Sequence, residues 1–319
     1  MGTNSSKPGT NATPYIGSPR RGAYVYALLA VFFWSTVSSA FKISLRYLSE
    51  IELLFYSSFV SALTLFFILV VQKKLPLLKQ LQKKDYLFSV FLGFLNPFLY
   101  YIVLFKAYSL LPAQQAQPLN MIWGIVLVLI SIPLLKQKIK FTDLLALLIC
   151  FFGVIVISTE GDLSHMNFTN PLGVLLAVGS SIIWSFYWIL NVKDKKDPIV
   201  RLFLNFTTGF VFVSAVFLFN FKLPAWQGLL GAVYVGLFEM GVAFFCWITA
   251  LKLVDRTVNV AILIYFVPFL GFIFINIFVG EKILFSSILG ALLIVFGTLI
   301  NKYKEFKREF PGIGLDKYE

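Results

Sequence analysis

The sequence predicts an all-α integral membrane protein that has ten transmembrane helices, arranged as two inverted repeats of five helices, with both termini in the cytoplasm. Apolar residues make up 59% of the chain and charged residues only 13%, whereas about a quarter of a typical soluble domain is charged. The apolar residues are gathered in runs of roughly 20 residues, the length that crosses a bilayer as a helix. In addition, several stretches of the first half of the chain recur in the second half.

The apolar runs define the candidate spans in chain order. In lipid, a helix satisfies its backbone hydrogen bonds within its own segment, and these runs are too long and too apolar for barrel strands. Segment 1–22 is polar and rich in Ser, Thr, Asn, Pro and Gly, so we expect a disordered cytoplasmic tail, and 302–319 is expected to be a basic cytoplasmic tail. The ten predicted spans are 23–44, 51–72, 86–105, 114–135, 142–158, 172–192, 199–220, 227–250, 258–280 and 283–301.

The distribution of positive charge predicts the orientation. The chain has 27 Lys and Arg residues and a formal net charge of +12. Because the basic residues lie mostly in loops and tails, the charge indicates membrane topology rather than nucleic-acid binding, and cytoplasmic loops carry the excess of Lys and Arg. All basic residues fall on the side of the two termini, except Lys42, Arg46, Lys106, Lys222 and Lys282.

The two halves of the chain resemble each other. The third pair of matching stretches keeps a constant offset of 143 residues, whereas the first pair differs by three extra residues in the second copy. The matching pairs are "LLAVFFWS" (28–35) with "LLAVGSSIIWS" (175–185), "LALLICFFGVIVIS" (145–158) with "LGALLIVFGTLIN" (289–301), and "LGFLNPFLYYIVLFKA" (92–107) with "VGLFEMGVAFFCWITA" (235–250).

These matches predict a duplicated unit of five helices, 23–158 and 172–301. Because five is odd, the second copy enters the membrane from the opposite side, so the repeat is inverted. Inverted repeats are typical of secondary transporters, whose substrate site lies near the bilayer midplane between the copies. The sequence therefore predicts a transporter that works by alternating access.

The chain resembles a known family, the EamA family of the drug/metabolite transporter superfamily. The resemblance covers 23–301 and rests on an ordered set of motifs: "FWS" (33–35) and "IIWS" (182–185) in the first helix of each half, and "GEK" (280–282) before the final "LGALLIVFG" helix. It implies an exporter of small organic metabolites in a plasma membrane, such as the inner membrane of a bacterium. The chain departs from the family at Lys138, the counterpart of Glu281, so a symmetric charge pair at the two repeat corners is not expected.

Glu239 is the first candidate site residue, because it lies in the middle of the eighth span. An ionisable group at bilayer depth is by default a functional hypothesis, here the binding of a substrate ammonium or a coupling proton. The alternative is a neutral glutamic acid that hydrogen-bonds a neighbouring helix. Its helix face is otherwise made of small residues, which favour helix contacts over lipid: Ala232, Gly236, Ala243, Cys246 and Ala250.

The repeat places Asn96 opposite Glu239, on a matching stripe of the third span that also contains Tyr100. Pro97 follows Asn96 and removes a backbone hydrogen bond, so a bend is expected there. The resemblance implies that the first helix of each half lines a central cavity, where aromatic side chains suit an amphipathic or aromatic solute. The alternative is an interfacial belt or ordinary packing, which we favour for Trp188.

Amide side chains in the fourth span and its mirror could bind the solute or join helices, and the sequence favours neither role. The full set of candidate site residues is Trp34, Ser38, Asn96, Tyr100, Gln117, Asn120, Trp184, Tyr187, Glu239 and Tyr265.

Other function classes find little support. The chain has no phosphate-binding loop for ATP, one histidine (His165) and two cysteines (Cys150 and Cys246) inside apolar runs, so we expect no metal, no cofactor and no enzyme activity. An organic-phosphate or nucleotide-sugar antiporter would need deep basic residues, for which only Lys42 and Lys106 are candidates, and both lie near span ends. A membrane scaffold or sensor would not need inward polar stripes. The expected partners are a small-molecule substrate, the lipid bilayer and coupled protons, without nucleic acid, in a monomer or homodimer.

Overall fold

The protein is described here from a computed structural model, which covers residues 21–123, 125–126, 129–130, 141–163, 170–220, 223–253 and 262–309. Throughout these residues the regular structure is helical, and no strand occurs. The helices are α1 (Arg21–Ser44), α2 (Glu50–Val71), α3 (Leu75–Leu78), α4 (Lys83–Gly93), α5 (Tyr100–Leu110), α6 (Ala113–Asn120), α7 (Phe141–Ser158), α8 (Pro171–Lys193), α9 (Pro198–Phe217), α10 (Trp226–Tyr234), α11 (Phe244–Leu253), α12 (Val267–Phe274) and α13 (Phe285–Glu309).

Several helices are joined or extended by turns of different pitch. A wide π-helical segment, Phe94–Leu99, joins α4 to α5, and a second one, Val235–Ala243, joins α10 to α11. A third, Ile275–Val279, follows α12, and 3-10 turns occur at Leu218–Asn220 and Ile262–Phe266.

Six continuous helical stretches are long and apolar enough to cross a bilayer, which confirms a multi-pass membrane protein. They are Arg21–Ser44, Glu50–Val71, Lys83–Leu110, Pro171–Asn191, Pro198–Phe217 and Trp226–Leu253, and three shorter apolar helices are Leu145–Ser158, Leu263–Val279 and Phe285–Ile300. Every predicted span except 114–135 overlaps one of these stretches. That span is described only in part, beginning with α6, so the count of ten helices stays a prediction. Most of the predicted tail 1–22 lies outside the described residues, although α1 already begins at Arg21, and α13 runs through Glu309 into the predicted tail 302–319.

Polar side chains define where the helices begin. The first amides of a helix have no partner inside the helix, so they need an acceptor from elsewhere. Glu52 and Ser49 form a capping box at the start of α2. Asp197 Oδ1 accepts the amides of Ile199 and Val200 at the start of α9.

The first amides of α6 are hydrogen-bonded by a residue from the second half of the chain. Glu281, in the "GEK" motif, accepts the amides of Ala113 at 2.9 Å and Gln114 at 3.1 Å. The Gln114 side chain returns the contact, since its Nε2 donates to Lys282 O and its Oε1 accepts from Leu284 N. A carboxylate at a helix N-terminus is also favoured by the helix dipole.

The helices pack in pairs that are matched between the two halves. Helix α2 packs on its counterpart α9, and α7 packs along its counterpart α13. The contact of α5 with α8 is matched by α11 with α1, and the contact of α6 with α8 is matched by α12 with α1. Likewise, α9 contacts the wide segment Phe94–Leu99, and α2 contacts the wide segment Val235–Ala243. Each of these pairings therefore has a counterpart when the halves are exchanged.

The contact between α7 and α13 is close because glycines face each other. A Cβ added at Gly153 would lie 2.8 Å from the Gly290 carbonyl oxygen, and one added at Gly290 would lie 2.8 Å from the Gly153 carbonyl oxygen. Small residues let helix backbones approach in this way in membrane proteins, where packing replaces the hydrophobic effect between helices.

The end of the bundle where α2 ends and α4 and α9 begin, here called the basic end, holds a network of ion pairs. Lys74 Nζ lies 2.8 Å and Lys252 Nζ 4.0 Å from Asp197 Oδ2. Burial raises the pKa of Asp197, but the hydrogen bonds from Lys74 and from the Val200 amide, together with the two lysine charges, lower it by more. The net pKa of Asp197 therefore lies below its ordinary value, and its charged form is favoured in the folded protein.

We expect Gly153→Ala to destabilise the protein by about 1–3 kcal/mol, because the new methyl group must push α7 away from the backbone of α13. Gly179→Ala is the matched control, since Gly179 also lies within a helix and nothing lies within 4 Å of an added Cβ. This control should be neutral or stabilising by up to about 1 kcal/mol, because alanine favours the helix. Thermal unfolding in detergent measures both, and an equal loss at the two positions would contradict the close contact.

A second prediction concerns acid stability at Asp197. A carboxylate whose folded pKa is lowered contributes stability above its unfolded pKa, about 3.9, and this contribution is lost as the pH falls through the folded pKa. Asp197→Asn keeps a capping oxygen but loses the charge. The variant should unfold at a lower temperature than the wild type at pH 7, and the difference should shrink between about pH 5 and pH 3. Melting curves that stay parallel over this range would disprove the role of the charge.

Candidate functional site

Two helices are interrupted at matching points in the centre of the bundle. Asn96 has an extended backbone (φ −149°, ψ 120°) inside the segment Phe94–Leu99, because the residue before a proline is disfavoured in the helical region. Glu239 lies in the matching segment, Val235–Ala243. Wide turns of this kind are frequent at functional sites, since they reorient the side chains that follow. The bend predicted at Pro97 is present.

Glu239 is a buried carboxylate with one hydrogen bond. Its side chain is 6% exposed. Tyr101 OH donates to its Oε1 at 3.0 Å, whereas its Oε2 is buried without a hydrogen-bond partner among the described residues. No ion pair forms between Glu239 and a Lys or Arg in the part of the chain that the structure describes. A buried polar group of this kind is costly unless a partner satisfies it.

Glu239 faces a cavity of about 60 Å³, here called the central cavity. Five of the six tryptophans of the chain lie in its wall, and the sixth, Trp226, is 66% exposed elsewhere. The polar groups of the wall are Ser38, Tyr100, Tyr108, Gln117, Asn120 and Glu239. The other lining residues are Trp34, Val37, Phe41, Leu104, Met121, Trp123, Trp184, Trp188, Trp247 and Ile264.

The two amides of α6 have different surroundings. Asn120 Nδ2 donates to Ser180 Oγ at 2.8 Å, and its Oδ1 accepts from Tyr100 OH at 3.3 Å, so Asn120 joins α6 to α8 and α5. Gln117, in contrast, is buried with neither its Oε1 nor its Nε2 hydrogen-bonded among the described residues. Asn120 thus connects helices, whereas the solute-binding role of Gln117, whose amide lies next to Gly271, stays a prediction.

The aromatic walls are packed on each other. Trp184 stands 4.7 Å from Tyr100 between ring centroids, and Trp34 stands 5.4 Å from Trp247. Trp188 contacts Trp184 edge-on at 5.9 Å. Trp34 and Trp184 therefore lie inside the bundle rather than in an interfacial belt. Trp188, which the sequence favoured as ordinary packing, also lines the central cavity.

Seven of the ten predicted site residues line the central cavity, and three do not. Tyr187 lies outside it and its hydroxyl accepts a hydrogen bond from Asn205 Nδ2 at 3.1 Å. Asn96 is completely buried and is not part of the cavity wall. Tyr265 does not line the cavity but packs against an apolar cluster between α1 and α11, which includes Trp247 of the cavity wall. The seven that line it are Trp34, Ser38, Tyr100, Gln117, Asn120, Trp184 and Glu239.

Four residues of the site were missed by sequence reasoning. Tyr101 is the hydrogen-bond partner of Glu239, and Tyr108, Trp123 and Trp247 lie in the cavity wall. Regular helical spacing from Asn96 selects Tyr100, but the wide turn shifts the register so that Tyr101 also faces inward. Trp247 could have been found from the repeat, because its counterpart at offset 143, Leu104, lines the same cavity.

A second cavity of about 230 Å³ lies at the basic end and is called the basic cavity. Trp188 belongs to the walls of both cavities, so the two cavities adjoin at this residue. The other residues that line the basic cavity are Tyr187, Asn191, Asp194, Lys196, Pro198, Arg201, Leu202, Phe244, Ile248, Leu251 and Lys252. Within the described ranges, no cluster of His, Cys, Asp and Glu could hold a metal ion.

Comparison with known proteins gives one family. The model of the EamA-like transporter family matches twice, over residues 21–159 and 171–303. "Uncharacterized transporter YvbV" of Bacillus subtilis is 24% identical over 78% of this chain and 83% of its own length. An "Uncharacterized transporter" of Archaeoglobus fulgidus is 22% identical over 87% of this chain and 97% of its own length. "Uncharacterized inner membrane transporter YhbE" of Escherichia coli is 23% identical over 57% of this chain and 58% of its own length.

A crystal structure that is 17% identical to this chain shares its fold. The TM-score is 0.64, and the match covers 91% of this chain and 99% of the other.

Tyr101→Phe tests the hydrogen bond to Glu239. The variant keeps the ring packing but leaves both carboxylate oxygens without a protein partner, so we expect a loss of about 1–3 kcal/mol in stability. Tyr56→Phe is the matched control, because Tyr56 makes ring contacts with Phe55 and Phe217 but its hydroxyl is not needed for them. Thermal unfolding of both variants gives the result. A Tyr101 variant as stable as the control would show that this bond contributes nothing.

Proposed function

The chain belongs to the EamA-like transporter family of the drug/metabolite transporter superfamily, and from this premise we propose that it is a secondary active transporter of small organic metabolites. It works by alternating access in the export direction, on solutes such as amino acids or amphipathic aromatic compounds. One observation carries the proposal: the central cavity holds the carboxylate of Glu239, without a cationic partner among the described residues, in a wall of tryptophans.

The internal symmetry supports alternating access. The helix pairings are matched between the halves, and the family model matches each half once. We interpret 23–158 and 172–301 as five-helix repeats that are inverted in the membrane, with both termini in the cytoplasm. In such transporters one repeat moves against the other around a site near the midplane. The wide turns at Asn96 and Glu239 lie in the middle of two matching helices, as that site requires.

The chemistry of the central cavity suits a cationic or zwitterionic solute with an apolar body. Glu239 Oε2 can accept from an ammonium group, the Gln117 amide can donate or accept, and indole faces attract cations and rings. The volume of about 60 Å³ is far below the several hundred Å³ of typical ligand sites. Entry of a solute therefore requires the helices to separate, which is what alternating access provides.

The alternatives fit less well. Lys42 Nζ donates to the carbonyl oxygens of Tyr108 and Leu111, and Lys106 pairs with Glu50 near a helix end. Neither lysine lines the central cavity, so an organic-phosphate antiporter lacks the cations there that it needs. A scaffold or sensor would gain nothing from a buried carboxylate whose second oxygen has no partner among the described residues, because this arrangement costs stability.

The proposed location is a plasma membrane, and by analogy the inner membrane of a bacterium. The name of the Escherichia coli relative includes an inner membrane location. The positive-inside distribution orients the basic end toward the cytoplasm.

Proton coupling through Glu239 is part of the proposal. Glu239→Gln keeps an acceptor for Tyr101 but cannot bind and release a proton, so its transport should no longer respond to a pH gradient. Binding of a cationic solute should weaken by roughly tenfold or more, equivalent to about 1.4 kcal/mol. Solutes are first found by a thermal-stability screen over amino acids, nucleosides and amines, and flux is then measured in liposomes with and without a pH gradient.

Glu50→Gln is the matched control for this substitution. Glu50 pairs with Lys106 near the surface, away from either cavity, so its loss should leave flux and its pH response unchanged. Normal, gradient-dependent transport by the Glu239 variant would end the coupling hypothesis. A protein that binds solutes of the screen but moves none across liposomes would instead favour a sensor.

A further inference from the structure

We propose that Arg201, in the basic cavity, is a binding site for a small monoanionic carboxylate, and that it forms an entry subsite for the carboxylate of the transported solute. Nothing in the sequence pattern or in the names of the relatives points to this residue. The binding site stands on its own geometry, whereas its role as an entry subsite rests on the proposed transport function.

The Arg201 guanidinium is buried and only partly satisfied. Its side chain is 3% exposed. Nη1 donates to Asp85 O at 2.7 Å and to Ser89 Oγ, and Nε donates to Asp194 Oδ2, while the guanidinium carbon lies 5.2 Å from the centre of the Phe88 ring. Nη2 is buried without a hydrogen-bond partner among the described residues. Two of the five donors of the guanidinium are therefore left over.

The contacts of Arg201 fix its orientation toward the cavity. Asp85 and Ser89 belong to α4 and hold one edge of the guanidinium against that helix. Asp194 accepts a hydrogen bond from Nε only, so it does not form the bidentate pair that an arginine can make with a carboxylate through Nε and Nη2. Arg201 lines the basic cavity, and because Nη2 itself is buried, a ligand oxygen reaches this donor only when the side chains around it move.

The charges around the cavity leave room for one negative charge. Four cations, Lys74, Lys196, Arg201 and Lys252, form ion pairs with three carboxylates, Asp85, Asp194 and Asp197. Among the residues that the structure describes, the ion pairs of this network thus leave one surplus positive charge. A singly charged carboxylate balances this surplus, whereas a phosphate dianion would exceed it and would face Asp194.

The apolar part of the wall matches an aromatic or aliphatic body. Tyr187, Trp188 and Phe244 line the basic cavity, and Trp188 also lines the central cavity, where Glu239 lies. Among the described residues, Glu239 and Arg201 are the two charged side chains that have a buried atom without a hydrogen bond. A zwitterion thus meets a cationic site in one cavity and an anionic site in the next.

The test measures equilibrium binding to the full-length protein in nanodiscs, by calorimetry, with three probes of the same shape. Benzoate carries the carboxylate, benzamide is its neutral analogue, and benzylamine carries the ammonium. We expect benzoate to bind at least roughly tenfold more tightly than benzamide, a factor equal to about 1.4 kcal/mol. Inorganic phosphate should bind more weakly than benzoate.

The variants separate the two sites. Arg201→Lys should weaken benzoate by roughly tenfold, because a lysine cannot keep both the α4 contacts and a free donor pair. Asp194→Asn should tighten benzoate, because it removes the competing carboxylate while keeping an amide of the same shape. Lys195→Gln is the control, since Lys195 is exposed and does not line the cavity.

Benzoate that binds no better than benzamide, or that is unaffected by Asp194→Asn, would overturn the proposal, even if Arg201→Lys fails to fold. Benzylamine distinguishes this failure from a failure of the proposed function. Its binding should depend on Glu239 and not on Arg201. If only the benzoate site is missing, the Arg201 proposal is wrong and the proposed transport function still stands. If neither charged probe binds and no solute from the screen crosses the liposome membrane, the result counts against both the Arg201 site and the transport function.

Discussion

The structure depends on one constraint, which is that polar groups at bilayer depth must find their partners inside the protein. Many of the buried hydroxyls meet it by donating to a backbone carbonyl oxygen. Ser35, for example, donates to the carbonyl oxygen four residues earlier, and Ser61 donates to the Met240 carbonyl in the neighbouring wide segment. Charged side chains that break this constraint are therefore informative about function. Glu239 and Arg201 keep a buried charged atom without a partner among the described residues, and each lies in the wall of a cavity.

The wide turns are the second consequence of this constraint. A helix that bends at the centre of a bilayer has to re-satisfy its backbone, which is possible where other helices surround it. Phe94–Leu99 is surrounded by α9 and α8, and Val235–Ala243 by α2 and α1. Both interruptions therefore lie against helices of the opposite half, and the one at Glu239 sets this carboxylate against Tyr101. The geometry of the site thus follows from how the halves pack.

Much of this arrangement could be predicted from the sequence, because hydropathy and the internal repeat are strong signals. They identified the all-helical membrane fold, and they selected Glu239, Trp34 and Trp184, which the structure brings to one cavity. Tyr101 was missed because its inward direction results from a register shift that regular helical spacing does not contain. Asn96 was expected in the wall on the same spacing, but it is completely buried and does not line the cavity.

Arg201 was missed for a different reason. In the sequence it follows a charged loop near the start of a span, where a basic residue normally indicates topology. Its burial depends on α4, which brings Asp85 and Ser89 from more than a hundred positions away. Hydropathy and spacing describe each helix alone, so they cannot show which loop-adjacent cation is covered by another helix.

The repeat is not equivalent at its two ends, and this difference matters for any transport cycle. Glu281 holds the first amides of α6, and Gln114 bonds back to the chain around Leu284. The residue that corresponds to Glu281 in the first half is Lys138, whose ammonium group donates hydrogen bonds and cannot accept amides. The acidic clamp therefore has no like-charged counterpart, whereas the opposite end of the bundle holds the network around Arg201 and Asp197. A cycle that exchanges the two halves would have to break charge-assisted amide contacts at one end and lysine and arginine ion pairs at the other, so opening toward the two sides of the membrane would respond differently to salt and pH.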